Sequence, residues 1–435
     1  MRTDIVYQGA DELSYVIREI VEFGNKLERL GQHMIWENIG DPVAKGEKIP
    51  AWIKELIGKA LTDDKTFAYS PTKGLLETRQ FISDLRRQDG GRVLDPEDIL
   101  FFNGLGDAVS KVYTYLNKNA RVIGPSPAYS THSSAEGAHA GSHHLTYNLT
   151  PELGWLPDIN DLRNKVRYNP AVSGILIINP DNPTGMIYPK QILKEIVAIA
   201  KEHDLFLVCD EIYSNIYFGD EPFIPLSKLL DGVPAIIMKG LSKEVPWPGA
   251  RCGWIEVYNK DKDASFARYI KTINDAKMLE VCSTTLPQKV LPGIFSSPQY
   301  AAYLQSRRDA YSKRAGVAHK ALRGIKDVSV VKPSGAFYVT VVFDDGTLSP
   351  AQTLPVKDEK MRTLTEEKVT SLARHELDKR FAYYLMASYG LCVVPLSGFN
   401  TDLYGFRMTL LEENPAVFKK TLDILAEAIP AYLAS

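Results

Sequence analysis

The segment MKGLSKEVPWPGARCGW (238–254) sets Lys243 just beyond an apolar run, AIIM (235–238), with Ser242 before it and Arg251 eight residues after it. A lysine that can lose its proton is the residue type that forms Schiff bases, although most lysines are solvated and rarely buried. Upstream, LFLVC (205–209) ends in Asp210 and Glu211, with Tyr213 close behind. An acid at that point serves either as a helix cap or as a carboxylate facing a buried cationic ring. NPDNPTG (179–185) follows GILII (174–178). Pro and Gly punctuate any tight turn, but the Asn182 amide at a strand's carboxyl end can also donate to a ligand's phenolic oxygen. Asn103-Gly104-Leu105-Gly106-Asp107 lies between ILFF (99–102) and a helix-like stretch. Backbone N–H groups in such a turn can cradle phosphate, and a plain strand-to-helix turn fits equally well. As a dinucleotide fingerprint it is incomplete, because the third glycine position is Val109 and no acid ends the next run, RVIG (121–124). His132, His139, His143 and His144 are dense, yet no carboxylate or cysteine stands at ligand spacing, so no metal site is expected.

These residues need a frame. Short apolar runs (ILFF, RVIG, GILII, LFLVC, AIIM and RCGWIEV at 251–257) alternate with amphipathic stretches such as 189–203. Near-continuous apolar strands joined by helices predict an α/β fold with a mostly parallel sheet flanked by helices, and ligands bind such sheets at the strands' carboxyl ends. From about residue 286 the pattern changes to a long helical stretch (286–322), VSVV, AFYVTVVF, a helix around 365–389, CVV and FRMTLL, which predicts a smaller α+β domain. The polar, Pro-containing 344–360 reads as a mobile loop.

Composition excludes several classes. Lys+Arg 51 against Asp+Glu 53 leaves a net charge of −2, which argues against nucleic acid or an anionic membrane as a partner. The four cysteines form no C-x-x-C pair and suit a reducing compartment. No apolar run is long enough to span a bilayer, and MRTDIVYQGADE holds no signal-peptide core. A cytoplasmic location is expected.

In this order the motifs resemble the class I aminotransferases of the fold-type I pyridoxal-phosphate enzymes. The markers are IGDP (39–42), Tyr69 with Gly74, the 103–107 turn, PSPAY ending at Tyr129, NPDNPTG, DEIY (210–213), Ser242-Lys243, Arg251, and FRMTLL with Arg407. The resemblance implies a large cofactor-binding domain at 49–300 and a small domain from 1–48 and 301–435. It implies that Lys243 binds the aldehyde of pyridoxal 5′-phosphate and moves the α-proton, that Asp210 pairs with the ring nitrogen, and that Tyr213 and Asn182 contact the phenolic oxygen. Tyr129 stacks on the ring. Gly104, Leu105, Gly106, Ser242 and Arg251 hold the phosphate, with Tyr69 from a neighbouring subunit of a homodimer. Arg407 grips the substrate α-carboxylate as a fork, which a lysine cannot do, with Gly40 alongside. The implied reaction is ping-pong transamination between an L-amino acid and a 2-oxo acid.

Within the class, KGLSK, MLEVC (278–282), YGLCVVPLSGF (389–399) and FRMTLL look like alanine aminotransferases, which implies alanine/pyruvate exchanged with glutamate/2-oxoglutarate. Tyr15 and Arg18, in an N-terminal Y-x-x-R, resemble a segment folded over the site in bacterial members. Arg18 is the candidate for a distal carboxylate, against the simpler reading of a solvated residue on a helix at 11–31. An aminotransferase for aromatic or other amino acids, or a carbon–sulfur lyase of the same fold, would use the same catalytic set. Two positions depart from the pattern: Gly240 stands where a hydroxyl residue is common, and Leu396 where glycine is usual.

Overall fold

The structure, a computed structural model, describes residues 5–13, 16–90 and 93–435. Its strands, in chain order, are β1 (Ile35–Trp36), β2 (Ile99–Asn103), β3 (Arg121–Ser126), β4 (Thr146–Asn148), β5 (Val172–Ile178), β6 (Phe206–Asp210), β7 (Ala235–Gly240) and β8 (Cys252–Tyr258). They continue with β9 (Val328–Val330), β10 (Tyr338–Phe343), β11 (Leu391–Cys392), β12 (Val394–Pro395) and β13 (Gly405–Thr409). Branched and aromatic side chains favour the pleated backbone. In β5 to β8 almost every residue is buried, because helices cover both faces.

The large sheet runs β2-β8-β7-β6-β5-β3-β4. All its pairs are parallel except those made by β8, which is antiparallel to both β7 and β2. RCGWIEV is thus the one run that departs from a parallel sheet. Residues 241–251 are too few for the crossover that a parallel return requires. The reversal has a functional consequence. It brings the start of β8 to the edge where the other strands end, with Cys252 opposite Asn103 and Gly253 opposite Gly240.

The second sheet is antiparallel in the order β12-β13-β10-β9, and β1 pairs with β11 beside it. Helix α1 (Val16–Arg29) turns Ile20, Phe23 and Leu27 into the same core as Phe337, Met408 and Leu425, a single helical face. The stretch expected as one helix over 286–322 is two, Thr285–Phe295 and Tyr300–Leu322, broken where Pro298 cannot donate. The helix expected around 365–389 is likewise two, Glu359–Thr370 and Leu377–Tyr389. The 344–360 segment is packed: Leu348, Leu354 and Val356 are buried in the smaller core, and the Gln352 amide donates to the Thr347 carbonyl at 2.9 Å. Among the described residues, no helix is long and apolar enough to cross a membrane.

Candidate active site

The strand ends open onto a cavity of about 370 Å³. The large sheet's edge supplies Leu105, Gly106, Tyr129, Asn182, Asp210, Tyr213, Ser242, Lys243 and Arg251 to its wall, and Gly40, Tyr338 and Arg407 close it from the other side.

Lys243 sits in the short helix Leu241–Glu244 that follows β7. Its Nζ donates to the Gly40 carbonyl at 2.6 Å, with the Phe337 ring 5.9 Å away. Desolvation in the cavity lowers the ammonium pKa to about 8. The turn is held from behind by Arg307, whose Nη1 donates to the carbonyls of Lys243 at 2.9 Å and Glu244 at 2.7 Å, satisfying groups that a helix end leaves open. Gly40 has its own constraint. A Cβ there would lie 2.4 Å from the Tyr338 hydroxyl.

Asp210 ends β6 and is 5% exposed. Its Oδ1 accepts from the Ile212 N–H at 3.0 Å, while Oδ2 lies 3.1 Å from His132 Nε2. No helix begins directly after β6 for Asp210 to cap; the acid instead organises the turn there, and it lines the cavity. Strand alternation sends Glu211 elsewhere, where its Oε2 accepts from Lys239 Nζ at 2.7 Å and its Oε1 from the Leu226 N–H at 2.8 Å.

Arg407 is the site's most confined cation, 2% exposed on β13. Its guanidinium lies between the Tyr338 ring at 4.4 Å and the Phe399 ring at 5.0 Å. Nη1 donates to Asn182 Oδ1 at 3.1 Å and Nη2 to the Asn38 carbonyl at 2.6 Å, while Nε is buried without a hydrogen bond. None of these partners is an anion. A buried cation so placed is costly unless an anion joins it. Tyr338 also links to Tyr213, hydroxyl to hydroxyl at 2.9 Å, and burial pushes both phenols above their usual range.

Helix Leu105–Thr114 begins at the cavity wall, which Leu105 and Gly106 line, and the first N–H groups of a helix have no partner within it. Gly104 has φ +85°, and a Cβ there would come within 2.4 Å of the Arg251 guanidinium. Arg251 itself has φ +47°, an unusual cost for a side-chain-bearing residue, and donates to the carbonyls of Asn103 at 3.3 Å and Pro248 at 3.2 Å. The glycine at 240 now has a reason. A Cβ would meet the Cys252 carbonyl at 2.9 Å and the Gly253 Cα at 3.2 Å, so β7 and β8 leave no space for a hydroxyl residue. Leu396 is fully buried in the large-sheet core.

Four expected residues stand apart from this wall. Gly104 lies just behind it, under Arg251. Tyr69 is 83% exposed and does not line the cavity. Tyr15 lies outside the described residues. Arg18 is on the exposed side of α1, and the helix faces the cavity with Ile17 and Val21 instead. The histidines scatter: His132 joins Asp210, His139 Nε2 is 3.0 Å from the Asn117 carbonyl, and His143 meets Glu12 at 3.1 Å.

Sequence reasoning missed His132, Tyr338, Arg307 and Phe399. For His132 a signal existed, since it follows Tyr129 by one helical turn and shares its side. The other three depend on packing between distant segments, which no local pattern reveals.

The description "Aminotransferase class I and II" matches residues 33–429. An uncharacterized aminotransferase of Methanocaldococcus jannaschii is 51% identical over 433 residues, covering 100% of both chains. The glutamate-pyruvate aminotransferase AlaA of Escherichia coli K12 is 29% identical over 331 residues, 76% of this chain and 80% of that protein. The solved alanine aminotransferase from Pyrococcus furiosus superposes with a TM-score of 0.83 at 26% identity, covering 98% of this chain and 99% of that one. With the cavity's lysine, acid and paired arginines in place, the chain belongs to the class I and II aminotransferases, which depend on pyridoxal 5′-phosphate.

Proposed function

We propose that this aminotransferase exchanges alanine/pyruvate with glutamate/2-oxoglutarate. The observation that carries the reading is Arg407, a buried guanidinium without an anionic partner among the described residues, facing the same cavity as Lys243. Ile17, Val21 and Tyr338 crowd that cavity, which suits a substrate side chain as small as a methyl group. The names of the Escherichia coli and Pyrococcus furiosus proteins support the same pair.

The donor set fits pyridoxal 5′-phosphate. Arg251, Ser242 and the N-terminus of helix Leu105–Thr114 would hold its phosphate, Tyr129 its ring face, Asp210 its ring nitrogen, and Tyr213 with Asn182 its phenolic oxygen. When bound, the group supplies an aldehyde that condenses with amines and a protonated ring that withdraws electrons. Arg407 fixes the α-carboxylate and so orients the substrate's Cα–H bond. The Lys243 Nζ, with a pKa lowered to about 8, is neutral in about a tenth of the molecules at pH 7, far more than an ordinary lysine, and takes the α-proton as a general base. Asp210, held by the Ile212 N–H with His132 Nε2 3.1 Å from its Oδ2, would face the ring nitrogen. The same residues run the reverse half-reaction with the second 2-oxo acid.

A homodimer completes the site. Phe67, Tyr69, Met278 and Leu279 are 72%, 83%, 57% and 86% exposed, and hydrogen bonds from Ser70 to the Ser283 carbonyl and from Thr72 to the Val281 carbonyl join their two loops. This apolar patch supports a second copy into which Tyr69 reaches. A monomer holding the cofactor at full affinity would count against it. The test is spectral: alanine and glutamate should each bleach the yellow enzyme, and pyruvate and 2-oxoglutarate should each restore it. Bleaching by aromatic amino acids alone, or ammonia release, would reject the assignment.

A further inference from the structure

The segment Ile39-Gly40-Asp41 does more than pass the substrate. Gly40 presents its carbonyl to Lys243 Nζ at 2.6 Å, and the next residue, Asp41, also lines the cavity. Asp41 Oδ1 accepts from the Val43 and Ala44 N–H groups at 2.9 and 3.1 Å, so the carboxylate is fixed by its own turn. We propose that Asp41 is the charge partner of free Lys243, a positioning residue that stabilises the ammonium formed when the lysine takes the substrate's α-proton.

A base that must accept a proton inside a cavity needs a counter-charge, because desolvation penalises the ammonium. The charged groups facing Lys243 are Asp41 from the 39–41 segment, Asp210 from β6, Arg407 from β13 and Arg251 from the start of β8. Tyr129, Tyr213 and Tyr338 are the other titratable groups of the wall, and Asn38, Asn182 and Ser242 add neutral polar ones. The two arginines oppose the ammonium. Of the two acids, Asp210 already meets His132 and ends the strand under the expected ring position. Asp41 has no such engagement with a cation among the described residues and exerts the largest favourable charge effect on Lys243. Its placement beside the Gly40 carbonyl gives the ammonium a dipole and a full charge from adjacent residues.

The inference rests on the reading of Lys243 as the base, and the experiment separates the two. Asp41→Asn keeps an acceptor oxygen for the Val43 and Ala44 N–H groups, and Asp41→Ser caps the same turn with a hydroxyl. The full chain, stripped of cofactor, is labelled with trace acetic anhydride at a series of pH values, and acetylation of the Lys243 peptide is followed by mass spectrometry. The midpoint of the wild-type curve should lie near 8 and fall by about 0.5–1 pH unit in both variants, since an opposite charge facing the same cavity favours the protonated form. A midpoint that stays or rises in both variants overturns the inference. In parallel, the reloaded proteins are reduced with borohydride. Cofactor fixed to Lys243 upholds the underlying reading, and cofactor fixed elsewhere overturns both.

Discussion

Replacing Arg407 by lysine tests the site's central geometry. The guanidinium is clamped by two rings at 4.4 and 5.0 Å, and by acceptors on Asn182 and Asn38 at 3.1 and 2.6 Å. A lysine keeps the positive charge but brings one nitrogen in place of the planar fork. It cannot satisfy both acceptors and still offer two parallel donors to a carboxylate. One charge-assisted hydrogen bond is worth about 1.5–3 kcal/mol, so Arg407→Lys should lower kcat/KM by about 10–150-fold. The loss should be the same for alanine, glutamate and their 2-oxo acids, because all share the α-carboxylate. The assay is single-turnover bleaching of the loaded enzyme by each amino acid, with a simple alkylamine as the control that lacks a carboxylate. The alkylamine rate should change little. An equal loss for the alkylamine would show that Arg407 only maintains the fold of the cavity, and no loss for any substrate would place the carboxylate elsewhere.

Lys243→Ala removes the amine that sits 2.6 Å from the Gly40 carbonyl; transamination should vanish, with cofactor retained only weakly, as equilibrium dialysis and rate assays would report, and near-normal turnover would end the mechanism. Asp210→Asn keeps an acceptor for the Ile212 N–H but loses the charge, so thermal unfolding should change little while kcat drops by about 100-fold or more, at about 1.4 kcal/mol per tenfold; an unchanged rate would leave Asp210 as a turn residue alone. Gly40→Ala forces a Cβ to within 2.4 Å of the Tyr338 hydroxyl, which is tied to Tyr213, and such overpacking typically costs about 1–3 kcal/mol. It should lower both stability and kcat, and a neutral result in denaturant titration would mean that the 39–41 turn shifts freely.

Much of the cavity wall was legible locally. A parallel sheet gathers its functional residues at strand ends, so each motif could be found by reading just past an apolar run: Asn182 after GILII, Asp210 after LFLVC, Lys243 after AIIM. The resemblance then linked these points, and Arg407 in FRMTLL, into one aminotransferase set. The tertiary structure decided what needs two distant segments at once. It tied Asp210 to His132 from a distant helix and sent Glu211 to Lys239, because strand alternation sends adjacent side chains to opposite sides. It reversed β8, and so brought Arg251 to the cavity wall beside Leu105 and Gly106. It placed Tyr338 and Phe399 on the two faces of Arg407, with Tyr338's own strand running antiparallel to that of Arg407. It also faced α1 toward the cavity with Ile17 and Val21 rather than Arg18. Local sequence fixes which residue ends a strand, because hydrophobic period and turn residues are short-range. Which partner a side chain meets depends on register and packing between segments hundreds of residues apart, and those are set only when the chain closes on itself.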